Sequence, residues 1–182
     1  RVNRAFPRHT LIAIEHAIKA SEAAHTGEIR FVVEGALDGT PLFKGQTARE
    51  RAIDVFAQLR IWDTEHNNGV LIYLLLADRH VEIVADRGIH AKVGSWGCEE
   101  ICRRMETAFK QGNYEDGVVS GIQAVTQHLI KHFPAAGDDR NEGAQAADEF
   151  ARENAPETPA LEHGASLRQQ LGQPPSRPCY PA

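Results

Sequence analysis

Glu28, Asp63, Asn67, Asn68 and Asp86 are the side chains whose types and placement best suit chemistry, because each stands at or beside the start or finish of an apolar run. With Glu65 and His66 beside them they form an oxygen-rich set of carboxylates and amides, the donors a hard divalent cation prefers, Ca²⁺ first and Mg²⁺ next. The same residue types also turn chains and stay solvated at loop tips, so residue type alone leaves both readings open. Short catalytic motifs are absent: there is no His-Glu-x-x-His pair, no Gly-rich phosphate loop and no Gly-x-Ser-x-Gly elbow. Cys98 and Cys102 read as core or surface residues rather than a nucleophile, and the three cysteines as reduced, unpaired thiols. His128 and His132, four residues apart, read as favourable to a helix C-terminal dipole rather than as a metal pair.

Positioning those residues falls to a set of periodic segments. Leu11, Ile14, Ala17, Ile18 and Ser21 share a stripe that predicts a helix over Thr10–His25, with Thr10 as N-cap and Gly27 just past its end. Glu28–Glu34 reads as a largely buried strand, and Thr47-Ala48-Arg49-Glu50 is a capping box opening a helix with Ala52, Val55, Phe56 and Leu59 on one face. Val70–Ala77 is apolar on both faces, as a central strand is. The two-residue break Asp78-Arg79 predicts a hairpin into His80–Asp86, which Arg87-Gly88 ends. Helices follow over Trp96–Lys110, with Trp96, Ile101, Met105 and Phe109 inward, and over Tyr114–His132, with Val118, Ile122, Val125 and Leu129 inward.

A strand, helix, strand order in one sheet implies a parallel crossover, and the hairpin adds an antiparallel third strand. The expected fold is therefore a three-layer α/β/α sandwich around a small mixed sheet. Its topology brings the loops before the first two strands and the exit of the third to one end, and these loops carry the candidate ligands. Glu34, Asp38, Asp78 and Arg79 stand at the opposite end, where the usual crevice at the carboxyl ends of parallel strands would favour Asp38 and Asp78 instead.

The 182 residues are 42% hydrophobic and 25% charged, with a formal net charge of −5, a composition that supports a real core and argues against a nucleic-acid partner. The longest apolar run is far short of the roughly 20 residues that a membrane-spanning helix needs. Composition changes after Phe133-Pro134, so residues 1–134 read as one domain and 135–182 as a low-complexity tail in which Gln145–Asn154 is compatible with one short helix.

Thr26-Gly27-Glu28-Ile29-Arg30-Phe31-Val32-Val33, Asn67-Asn68-Gly69-Val70-Leu71-Ile72, Asp78-Arg79-His80-Val81-Glu82-Ile83-Val84 with Gly88 following, and Gln111-Gly112-Asn113-Tyr114-Glu115-Asp116-Gly117 occur here in an order that resembles the TPM domain family. The likeness extends over about Thr10 to Phe133. It implies a Rossmann-like α/β/α sandwich. Family members include thylakoid-lumen proteins tied to photosystem II repair, for which acid phosphatase activity and calcium binding have been proposed. Many relatives carry a signal and a membrane anchor, whereas this chain resembles the short soluble bacterial type. The family's Gly-x-Gly after the third strand stands here as Asp86-Arg87-Gly88, so that Asp86 either completes a cation site with Glu28 and Asn68 or pairs with Arg87 at the surface.

The resulting expectation is a soluble binding or accessory module that takes a divalent cation at the converging loops and acts with a protein partner, itself membrane-associated in one version. An exposed aromatic patch around Trp62 and Trp96 is expected for such a partner. The competing expectation is a weak metal-assisted acid phosphatase in which Glu28, Asp63 and Asp86 hold the cation and a cation-bound water or Asp63 attacks phosphorus. The cysteine usage points to the cytoplasm, or to an extracytoplasmic site if a signal precedes Arg1.

Overall fold

A computed structural model of the chain describes residues 2–37, 45–94 and 97–135. The elements are α1 (Val2–Ala5), α2 (Arg8–Glu22), β1 (Glu28–Glu34), α3 (Ala48–Gln58), β2 (Gly69–Leu75), β3 (His80–Ala85), α4 (Arg87–Val93), α5 (Cys98–Lys110) and α6 (Tyr114–His132). The strands form one sheet in the order β1-β2-β3, with β1 parallel to β2 and β2 antiparallel to β3.

The central position of β2 follows from its sequence, since Gly69 to Leu75 is buried throughout. Alternation then divides it between two cores. Val70, Ile72 and Leu74 pack with Ile101, Met105, Phe109, Val118, Ile122, Val125 and Leu129 of α5 and α6, and with Ile14 of α2. Leu71, Tyr73 and Leu75 face the other way, onto Ala52, Val55 and Phe56 of α3. Helices thus cover both faces, as expected of an α/β/α arrangement.

The capping box at α3 is present in both directions: the Glu50 backbone N–H donates to Thr47 Oγ1 at 3.2 Å, and the Thr47 N–H donates to Glu50 Oε2 at 2.7 Å. Several expectations need correction. Helix α2 starts at Arg8 behind Pro7, and Thr10 is not its cap; the Thr10 hydroxyl instead donates to Glu115 Oε2 of α6 at 2.8 Å. Its last residue is Glu22, so Gly27 lies beyond the C-cap Ala23. Leu11, expected inward, is 47% exposed. β1 is an edge strand in which only Ile29 is fully buried. Neither α1 nor α4 is expected from the sequence pattern, and α4 replaces the loop expected after β3. Cys98 is disulfide-bonded, which overturns the expectation of unpaired thiols; Cys102 is buried. Asp38, Trp96, Cys179 and Gln145–Asn154 lie outside the described residues.

A buried polar chain joins α2 to α6. The Gly27 N–H donates to His25 Nδ1 at 3.0 Å, which leaves the ring proton on Nε2 to donate to Ser21 Oγ at 2.8 Å. Ser21 Oγ in turn meets Thr126 Oγ1 at 2.5 Å, and Thr126 donates to the Ile122 carbonyl at 2.6 Å. With Nε2 donating to the serine, this pair does not form a nucleophile and base; it fastens the loop entering β1. The loop is also tied to the end of α6, where Thr26 N–H donates to the Phe133 carbonyl at 2.9 Å.

Candidate cation site at the converging loops

The parallel pairing brings the loops that precede β1 and β2 together, and the antiparallel return of β3 delivers Asp86 beside them. Backbone hydrogen bonds lace the three: Glu28 N–H to the Asn68 carbonyl at 3.4 Å, Asp86 N–H to the Gly69 carbonyl at 3.0 Å, and Gly88 N–H to the Asn67 carbonyl at 2.9 Å. The approach at Gly88 is so close that a Cβ there would overlap the backbone carbonyl oxygens of His66 and Asn67. Asn67 turns the chain with a φ of +50°, in the left-handed region that asparagine tolerates.

Two of the predicted ligands are sequestered at this junction. Asn68 is fully buried; its N–H donates to Thr64 Oγ1 at 3.0 Å and its side-chain amide donates to Thr26 Oγ1 at 3.1 Å. These contacts leave Asn68 Oδ1 buried without a hydrogen-bond partner. Asp86 is 7% exposed and is the N-cap of α4, its Oδ1 accepting from the Arg87 N–H at 2.7 Å. Its Oδ2 is also buried without a partner. Buried acceptors are nearly always satisfied in folded proteins, and a carboxylate oxygen left bare is among the costlier exceptions. Two such oxygens in one loop cluster call for a donor or a cation.

The other predicted ligands are engaged elsewhere. Glu28 pairs with Arg30 at 2.6 Å and Asp63 with Arg60 at 3.0 Å, the latter fully at the surface. Asn67 contributes its backbone carbonyl to Gly88, while Glu65 and His66 are exposed. Among the described residues, no group of three or more His, Cys, Asp or Glu side chains gathers at metal-holding distance. The carboxylates therefore do not cluster, and the two bare oxygens belong to residues at neighbouring strand ends, Asn68 just before β2 and Asp86 just after β3. Thr26 and Thr64, which orient Asn68, escape sequence reasoning because a threonine beside a turn carries no signal of its own. The α4 cap is legible in principle, since Asp followed by a helix-forming run is an N-terminal signature.

The histidine pair lies on α6, with His132 in its last turn. Burial holds His128 below the ordinary imidazole range, with His132 and Lys131 adding to the effect. Burial together with Lys131 and Lys92 does the same at His132. At the surface near the loops, Trp62 is 46% exposed with the Arg60 guanidinium 5.4 Å from its ring centre, and Leu59 is about half exposed. Of the two residues expected to form an aromatic patch, Trp62 is exposed and Trp96 lies outside the described residues.

Comparison with solved structures finds the NMR structure of the BA42 protein from the psychrophilic bacterium Bizionia argentinensis, 34% identical, with a TM-score of 0.60, covering 72% of this chain and 86% of that one. The solution structure of the N-terminal domain of a protein from P. gingivalis, 23% identical, shares the fold with a TM-score of 0.53 over 67% of this chain and 74% of that one. Among curated proteins there is no match. No helix among the described residues is long and apolar enough to cross a membrane. The family profile of the TPM domain matches residues 4–128, and with that span matched the chain belongs to the TPM domain family.

Proposed function

We propose that this TPM domain is a binding module that takes one divalent cation between Asn68 and Asp86. The observation that carries this reading is the pair of buried, unpartnered oxygens, Asn68 Oδ1 and Asp86 Oδ2, on loops that the sheet forces together. A bound cation would neutralise the Asp86 carboxylate and satisfy the amide oxygen. The oxygen-only donor set suits Ca²⁺ first and Mg²⁺ next, with water completing the shell. The exposed Trp62 and Leu59 support a protein partner at the same end of the molecule. The disulfide at Cys98 supports an oxidising compartment over the cytoplasm.

The phosphatase reading draws less support from the geometry. Asp63, the carboxylate that would attack phosphorus, is exposed and held by Arg60, and Glu28 is held by Arg30. Arg87 is the cation nearest the site in sequence, and it is exposed. Binding therefore accounts for more of the geometry than turnover does.

The test is a thermal-melt series with chelator, Ca²⁺, Mg²⁺ and Mn²⁺. A ligand at about 100 times its Kd stabilises the native state by about 2.7 kcal/mol, a rise of several degrees. Asp86→Asn keeps an oxygen to cap α4 but removes the charge, so the cation-dependent rise should vanish while the melt in chelator changes little. A wild-type melt indifferent to all three ions would end the proposal.

A further inference from the structure

Helix α5 opens with two cysteines one turn apart, Cys98 and Cys102, both buried in the core on the α6 side of the sheet. Cys98 is disulfide-bonded, whereas Cys102 keeps its thiol. The sequence holds one further cysteine, Cys179. Residues four apart share a face of a helix, so the Cys102 thiol stands on the side of α5 that carries the Cys98 sulfur. Helix geometry places their Cα atoms about 6.2 Å apart, inside the window of roughly 4.4–6.8 Å that a disulfide spans. The first turn of α5 is also the one best able to adjust. It starts behind Gly97, at a φ of +69°, with no side-chain cap, and is held by the Glu100 and Ile101 N–H groups donating to the Gly97 carbonyl at 3.0 and 3.2 Å. The Arg49 guanidinium, 3.6 Å from Glu82, also attracts the Cys102 thiolate, the form that attacks disulfides, and so offsets part of what burial costs it.

We infer that Cys98 and Cys102 form a thiol–disulfide exchange site, in which Cys98 is bonded to Cys179 and Cys102 is the thiol that displaces it. The Cys102 thiolate forms a bond to Cys98 Sγ while the bond between Cys98 and Cys179 breaks. Cys179 leaves with the electron pair and takes up the proton that Cys102 gave up. One disulfide and one thiol are present before and after, so the step consumes neither oxidant nor reductant. The oxidised chain therefore exists as two isomers of the same mass, with Cys98 joined either to Cys179 or to Cys102. The exchange moves the thiol of the oxidised chain from the buried Cys102 to Cys179, near the C-terminal end of the sequence.

The experiment is disulfide mapping of the full oxidised chain by mass spectrometry. The protein is incubated without reductant in mildly alkaline buffer, quenched with acid at intervals, denatured and alkylated, and then cut after glutamate. Cleavage after Glu99 and Glu100 separates Cys98 from Cys102, so the two isomers give different cross-linked peptides. The inference expects a starting map in which Cys98 is joined to Cys179 and the alkyl label sits on Cys102. With time a cross-link between Cys98 and Cys102 should grow in together with label on Cys179, to about 1–10% of the chains, at a rate independent of protein concentration. Cys102→Ala should abolish both changes. A label confined to Cys102 throughout overturns the inference, as does a starting map in which Cys98 and Cys179 are not joined. A cross-link between Cys102 and Cys179, or a rate that rises with protein concentration, also overturns it, because the attack would then fall on the other sulfur or come from another molecule. The time course is read on the wild-type chain, so it decides the matter even if the alanine variant fails to fold.

Discussion

Acidification should unfold this domain through His25. The imidazole is 4% exposed, and burial pushes its pKa down to about 4 from an ordinary 6.5. Above pH 6.5 the ring is neutral in both native and unfolded chains and contributes nothing to pH dependence. Below that, the unfolded chain takes up a proton that the native ring refuses, so stability falls as pH falls and levels off near pH 4. The 2.5-unit difference sets a ceiling of about 3.4 kcal/mol, of which about 2 kcal/mol is lost by pH 5. In a protein of this size that corresponds to a fall in Tm of roughly 8 °C. Carboxylates contribute their own acid dependence, so the quantity to measure is a difference. Urea titrations of wild type and His25→Gln at pH 7.5 and pH 5 should show the wild type losing about 2 kcal/mol more than the variant. Equal losses in the two proteins would refute the reasoning, since the buried ring would then be taking up its proton without cost.

Gly88→Ala would drive a methyl group into the carbonyl oxygens of His66 and Asn67, backbone atoms that cannot rotate aside. It should cost about 2–3 kcal/mol in urea titration and abolish any cation-dependent rise in Tm. Arg51→Met would strip the bidentate partner, at 3.0 and 3.2 Å, from Glu34 beside the buried Tyr73 phenol, whose pKa burial and Glu34 already push upward. Because both side chains of the pair keep some solvent contact, the expected loss is about 1–3 kcal/mol, read by the same titration.

How much of the fold and of the site is legible in the amino-acid sequence depends on the kind of signal involved. The unbroken apolar run at β2, the capping box at Thr47 and the helical stripe of α6 are all legible, because burial on two faces and reciprocal capping leave few other ways to satisfy a chain. The convergence of three loops follows from strand directions alone. Exposure does not follow: Leu11 sits on the periodic stripe of α2, yet periodicity is blind to how far a helix overhangs an edge strand. Within the site, residue type and spacing lend five oxygen donors equal standing. What separates Asn68 and Asp86 from Glu28 and Asp63 is which of them has an arginine within reach, and Arg30 and Arg60 are equally near in sequence to many residues. Pairing of that kind is decided by side-chain geometry rather than by spacing.

The short bridge in which His25 pairs antiparallel with Pro134 looks like a minor clasp, yet it sets a direction of exit. By running back past Thr26 and His25, the polypeptide leaves α6 at the loop end of the sheet, and Ala135 closes that run with a bond to the Ala24 carbonyl at 3.3 Å. Anything attached after Ala135, whether a fusion partner, a surface tether or a dye, starts from the rim that carries Asn68 and Asp86. A short linker placed there would hold its cargo at high effective concentration over the loops, whereas the same linker on α1 would not. Immobilising the protein through that exit would turn the candidate site toward the support, and a binding assay should leave it facing solution.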